Sequence, residues 1–296
     1  MQLIVIGGGV VGVTTAWELQ KDGHEVTLIE ACDNVALETS FANGGQIAVT
    51  ESAPWSRPGL VKEMVANFFS QTPYSLRLRA DPAQWRWLYR FWRNTRPGVF
   101  KKAVLENWQL AAYSLTCLQQ TRADLGNDFH YDDRQNGILQ LIGNEQSLDG
   151  FKTHMNMLRD KGAQVDWLES EELVSKEPAL GHAVSQGHVR AAIWGSSDES
   201  GDAALFAQKL SQAFVKAGGV VMTNTVVDGF ILNKKTIMGL TTSQGNIAGE
   251  GFVLCAGTAS PKLAAQLGER LTLIPVKGYS LTAPIKNQNL APSASL

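Results

Sequence analysis

The chain is short of cysteine, of charge and of long apolar runs, and each shortage narrows what it can be. Its three cysteines, Cys32, Cys117 and Cys255, are odd in number and far apart. They form no disulfide framework and fit a reducing, cytoplasmic compartment. Charged residues make up 18% of the sequence against 44% hydrophobic, so a disordered chain is excluded. Lys plus Arg number 26 and Asp plus Glu 28, a net charge of -2 that offers no global attraction to nucleic acid. No stretch reaches the roughly 18 consecutive apolar residues of a membrane span. Residues 3–17 are uncharged, but they lack a basic flank and contain four glycines, unlike a signal peptide. The histidines, His24, His130, His154, His182 and His188, show no metal-ligand spacing, so no metal site is expected. No G-x-S-x-G elbow is present either, which argues against a hydrolase.

What is there begins with the first thirty residues. Leu3-Ile4-Val5-Ile6 is an apolar run suited to a buried parallel strand, and Gly7-Gly8-Gly9-Val10-Val11-Gly12 follows it. An Ala- and Leu-bearing stretch to Lys21 reads as a helix that stops near Gly23, and Val26-Thr27-Leu28-Ile29 as a second strand. Gly7-x-Gly9-x-x-Gly12 is therefore the dinucleotide-binding fingerprint between a strand and a helix. The first glycine makes the turn, the second lets the backbone approach a pyrophosphate, and the third allows close packing. Glu30, 18 residues after Gly12, is placed to accept from both ribose hydroxyls. Its charge would repel a 2′-phosphate. The fingerprint alone leaves FAD and NAD open, with purely structural glycines as the plain alternative.

Further on, residues 31–60 read as loop and 61–126 as helical, with Val104, Trp108, Ala111, Leu115 and Leu118 at a 3.6-residue period. A strand is expected over 137–142, a helix bearing Leu148, Phe151, Met155 and Leu158, and another bearing Phe206, Leu210 and Phe214. Glu169-Ser170-Glu171-Glu172 reads as a solvated helix start. Val220–Thr223, Val226–Leu232, Ile237–Thr242 and Gly251–Cys255 read as one strand, a β-meander and a closing strand, which points toward FAD. A last strand is expected over Val276–Ala283.

Glu38-Thr39-Ser40-Phe41-Ala42-Asn43-Gly44-Gly45-Gln46-Ile47 joins this pattern to a family. With Ser52-Ala53-Pro54-Trp55, Asp198-Glu199-Ser200-Gly201-Asp202 and Pro275-Val276-Lys277-Gly278-Tyr279-Ser280, the chain resembles the small-subunit type of D-amino-acid dehydrogenase. These enzymes belong to the FAD-dependent amine oxidoreductases that include glycine and sarcosine oxidases. The resemblance implies an α/β fold: an FAD-binding Rossmann-like domain with a β-meander over 1–80 and 190–268, and an α+β substrate domain over 81–189 and 269–296. It implies that the FAD pyrophosphate is wrapped by Leu3, Ile4, Val5, Ile6, Gly7, Gly8, Gly9, Val10, Val11, Gly12, Val13, Thr14, Thr15, Ala16 and Trp17, with Glu30 on the ribose. Ser40, Asn43, Gly45, Gln46 and Ile47 would line the ribityl chain and isoalloxazine, Val227 would meet the adenine, and Ala256-Gly257 would pass the pyrophosphate.

The reaction implied is oxidation of a D-amino acid to an imino acid, hydrolysed to a 2-oxo acid and ammonia, with electrons passed to a quinone-type acceptor. Positioning and the flavin carry most of that chemistry, so no side-chain base is compulsory. Lys277 and Tyr279 are candidates for the substrate wall, with ordinary strand residues as the alternative. The similarity fades after Ala283-Pro284-Ile285, so the sequence is expected to lack the C-terminal part of the substrate domain, as a truncated product or fragment. An inactive FAD-binding remnant and a glycine- or sarcosine-type oxidase are the competing readings.

One stretch stands apart. Residues 77–102 hold Arg77, Arg79, Arg86, Arg90, Arg93, Arg96, Lys101 and Lys102 against the single acid Asp81. Trp85, Leu88 and Trp92 share one helical face and Arg86, Arg90 and Arg93 another. Such a helix suits either an anionic surface, peripheral on the inner membrane, or packing on the substrate domain.

Overall fold

The computed structural model describes residues 1–60, 62–63, 80–276, 278–279, 284–285, 287 and 291–296. They fall into two compact units, one of Met1–Gly44, Leu125–Asp132 and Asp202–Ser280, the other of Gly45–Asp124, Asp133–Gly201 and Leu281–Leu296.

The first unit is built on four parallel strands. β1 (Gln2–Ile6) lies between β2 (Glu25–Ile29) and β12 (Gly251–Leu254), and β8 (Val220–Met222) pairs with the outer side of β2. Helix α1 (Val10–Lys21) makes the crossover from β1 to β2. Such a connection is right-handed as a rule and lays the helix back on the sheet, so small residues are needed at the contact. Ala16 and Gly12 are buried there. α7 (Ala203–Lys216), which is capped by the Asp202 carboxylate accepting from the Leu205 N–H at 2.8 Å, packs against α1.

Successive residues of a strand face opposite sides, so Ile4 and Ile6 share one face of the sheet. They meet Ile29, Leu240 and Leu263, with Val227, Phe230, Phe252 and Leu254 packed around them. Leu240 comes from the antiparallel meander β9 (Val227–Asn233), β10 (Thr236–Thr242) and β11 (Gly245–Ala248), and Leu263 from α8 (Ser260–Gln266). The strand and meander expected over 220–257 are present in that order.

The second unit holds the antiparallel sheet β4-β6-β5, made of Ile138–Ile142, Ala191–Gly195 and Val165–Glu169. Both faces are apolar. Leu139 and Ala192 meet Leu173 and Leu180, whereas Ile142 and Ile193 meet Met155. Leu173 lies on α5 (Ser170–Lys176), which opens with a capping box between Glu169 and Glu172, as the acidic run suggests. Met155 lies on α4 (Leu148–Arg159), and α6 (Gly181–Ser185) follows α5. Helices α2 (Pro82–Asn94) and α3 (Pro97–Leu125) account for the described part of the helical stretch. On α3, Val104 and Leu115 are buried and Trp108, Ala111 and Leu118 half-buried, so the periodic stripe faces inward. A two-residue ladder joins β3 (Gln46–Ile47) to β7 (Glu199–Ser200).

One expectation is corrected. The strand over 276–283 is not formed at Val276, Gly278 or Tyr279, and Lys277 and 280–283 lie outside the described residues. Strand propensity needs a neighbouring strand to receive the N–H and C=O groups, and none of the sheets among the described residues includes these positions.

Candidate functional site

The elbow that ends β1 is built by close approaches that only glycine permits. Gly7 has a φ of +106°, and a Cβ there would stand 2.6 Å from the Cys255 carbonyl oxygen and 3.0 Å from the Ala256 Cα. A Cβ on Gly12 would overlap the Gly7 carbonyl oxygen. At Gly9, by contrast, the nearest atom would be the Ser40 Oγ at 3.4 Å, an ordinary contact. The backbone is thus closed around Gly7 and Gly12 and open at Gly9, which leaves a place for a ligand to approach the chain.

Gly9 is also the N-cap of α1, where a helix presents N–H groups without intrahelical partners and partial positive charge. The Val10 N–H is taken up by the Ser40 Oγ at 2.9 Å, while Val13 N–H reaches the Gly9 carbonyl at 2.9 Å. Helix geometry leaves the N–H groups of Val11 and Gly12 for an anion. Ser40 is buried, and its carbonyl accepts from the Asn43 side chain at 2.6 Å. The resemblance places Ser40 along the ribityl chain, and its hydroxyl stands at the start of α1.

Glu30 follows β2 and turns back to the elbow. One carboxylate oxygen accepts from the Gly8 N–H at 2.6 Å and the other from the Cys32 N–H at 2.8 Å. A carboxylate has about four acceptor positions, so capacity remains for two hydroxyls. A Cβ at Gly8 would come within 2.8 Å of that oxygen, so Gly8 seats the acid. The fingerprint does not reveal this role, because the approach is made across the fold.

The remaining predicted residues take varied places. Leu3, Ile4, Val5, Ile6, Val13, Ala16 and Trp17 are buried in the core beneath the elbow. Thr14 and Thr15 turn their hydroxyls back to the carbonyls of Val10 and Val11, and Val11 is exposed. Val227 packs its side chain against the core cluster and lies opposite Thr242 in the meander. Ala256 lies against Gly7, and Gly257 follows it with a φ of +49°. Cys255 sits beside Thr15, and burial pushes its thiol above the usual range, which keeps it protonated. Gly45, Gln46 and Ile47 belong to the second unit, on and next to β3. Tyr279 is 88% exposed, and Lys277, the other candidate for the substrate wall, lies outside the described residues. Among the described residues no cluster of His, Cys, Asp and Glu could hold a metal.

These features fit a dinucleotide: a glycine cradle open at Gly9, helix N–H donors for the diphosphate and an acid for a ribose. The comparisons agree. The family model described as FAD dependent oxidoreductase matches residues 2–295. A D-amino acid dehydrogenase of Bradyrhizobium diazoefficiens is 34% identical over 299 residues, covering 100% of this chain and 70% of its own length. One of Cereibacter sphaeroides is 35% identical over 297 residues, covering 100% and 67%. The glycine oxidase structure of Geobacillus kaustophilus superposes with a TM-score of 0.64 at 20% identity, over 90% of this chain and 58% of that one, and supports the fold. The chain thus spans about two thirds of those relatives and less of the solved structure. It belongs to the family of FAD-dependent oxidoreductases.

Proposed function

We propose that the chain carries the flavin-binding part of a D-amino-acid dehydrogenase that converts a D-amino acid to the 2-imino acid, hydrolysed to the 2-oxo acid and ammonia. The open face of Gly9 at the head of α1 carries this reading. The names of the relatives supply the substrate class.

In this reading the Gly9, Val11 and Gly12 N–H groups hold the diphosphate and the Ser40 hydroxyl, which accepts from Val10, turns its own proton toward it. Glu30 holds the adenosine ribose, and the backbones at Val227, Ala256 and Gly257 line the nucleotide. Asn43, Gly45, Gln46 and Ile47 face the ribityl chain and ring. FAD held there would supply the two-electron oxidant for the substrate Cα–H bond. The protein's share is orientation: Cα held at the ring, the amine neutral, water excluded. The second unit serves as substrate domain.

The finer partners are part of the same proposal. Electrons leave to a quinone-type acceptor, and α2 is the surface that meets the lipid around it. Trp85, Tyr89 and Trp92 are all exposed, at i, i+4 and i+7, and Arg86, Arg90, Arg93 and Arg96 border them. No helix among the described residues is long and apolar enough to cross a membrane, and the contact proposed for α2 is a peripheral one.

The test is anaerobic reduction. Chain reconstituted with FAD should lose its visible flavin band on addition of D-alanine and keep it with L-alanine. Bleaching by glycine or sarcosine, with peroxide released in air, would move the assignment to an amine oxidase. A flavin that no amino acid bleaches would leave only a cofactor-binding remnant.

A further inference from the structure

Residues 46–50 follow the elbow in sequence and, under the proposed function, begin beside the flavin ring. They are held by little regular structure. β3 has two residues, Gln46 opposite Ser200 and Ile47 opposite Glu199, and the adjoining Gly201 N–H donates to the Gly45 carbonyl at 2.8 Å. A two-residue ladder in water is far below the length that supports itself. Something else fixes it.

Two successive buried carboxylates do so. Glu199 is 3% exposed and receives both arms of the Arg122 guanidinium, at 2.5 and 2.9 Å. Arg122 projects from α3 and also stands 3.7 Å from Asp133. The next residue, Arg134, exchanges backbone hydrogen bonds with Ser200 at 2.8 and 2.9 Å. One guanidinium therefore ties α3, β7 and the 133–134 segment. Asp198 is 1% exposed and pairs with Thr50, accepting from its N–H at 3.2 Å and bonding its hydroxyl. A buried bidentate Arg–carboxylate pair is directional and costly to break, because the partner is left charged without compensation.

We propose that Asp198 and Glu199 form a positioning clamp that sets residues 46–50, and through them the isoalloxazine end of the cofactor. Glu199, gripped by Arg122, fixes the strand opposite Ile47, and Asp198 fixes the far end at Thr50. Neither acid touches the reacting atoms. The proposal rests on the reading that residues 45–47 face the flavin.

The experiment compares FAD-reconstituted wild type with Glu199→Gln, Arg122→Lys and Thr50→Val, the milder two guarding against a Glu199→Gln that fails to fold. Lys102→Ala, an exposed site on α3, serves as control. Amide exchange should rise about tenfold or more at residues 46–50 and 199–201 in each clamp variant, with β1 and β2 unchanged. The visible circular dichroism of bound FAD should change, and its dissociation constant should rise about tenfold in Glu199→Gln and less in Arg122→Lys. Unchanged exchange overturns the clamp. Faster exchange with an unaltered flavin signal and affinity overturns its positioning role. A wild-type chain that takes up no FAD overturns the flavin reading instead, and the exchange comparison then decides the clamp alone.

Discussion

At the scale of residues, acids held by nearby N–H and O–H donors set the local geometry. Glu30 is held by two backbone N–H groups and keeps acceptor capacity for a sugar. Asp198 is different, because burial pushes its carboxyl from 3.8 to about 6, the hydrogen bonds from Thr50 and Val49 oppose the shift, and the charge of Glu51 adds to it. The folded protein therefore holds this proton more tightly than the unfolded chain does. The resulting stability is complete below about pH 4 and is lost as pH rises through about 6. Its size is at most about 3 kcal/mol, from roughly 2 pKa units at 1.36 kcal/mol each. Urea unfolding between pH 4 and 7 should show stability falling with pH relative to Asp198→Asn, in which that slope disappears. Equal slopes in the two proteins would contradict the assignment. Glu177 acts in the opposite sense: burial works to raise its pKa, but donors from Ser293 and Ala294 at 2.7–3.0 Å hold it below the usual range.

At the scale of elements, what the sequence reveals depends on how local the cause is. β1, α1 and β2 are legible because strand, glycine turn and helix follow one another within thirty residues, and the acid stands at the end of the second strand. α4, α7 and the meander are legible from apolar periods and turn residues. β5 and β6 are not, because their pairing in the order β4-β6-β5 is made between distant segments. β7 carries no pattern at all in two residues, and the Arg122–Glu199 pair joins positions 77 apart. Helix α2 is read correctly as basic and aromatic, yet its exposure is tertiary information: none of its residues is buried. Anionic vesicles should therefore co-sediment with the protein at low salt and release it at high salt. Replacing Arg86, Arg90 and Arg93 by Gln should weaken binding roughly a hundredfold, at about 1 kcal/mol per basic residue near the surface. No binding at low salt would remove the membrane contact from the account.

At the scale of the whole molecule, the chain supplies two units with their own cores, and the nucleotide elbow lies within the first. The claim on which the rest depends is that the elbow admits a diphosphate at Gly9, and the packing makes this separable from folding. A side chain at Gly12 meets backbone, so Gly12→Ala should destabilise the unit itself. A Cβ at Gly9 has only the Ser40 hydroxyl within 4 Å, at ordinary contact distance, so a longer side chain there would compete with the diphosphate of the proposed reading. The most direct measurement is thus FAD titration of Gly9→Leu beside the wild type, followed by flavin fluorescence, with the melting temperature of each apoprotein as reference. The account predicts a variant that melts close to the wild type and binds FAD at least about a hundredfold more weakly. Wild-type affinity in a folded Gly9→Leu protein would contradict it.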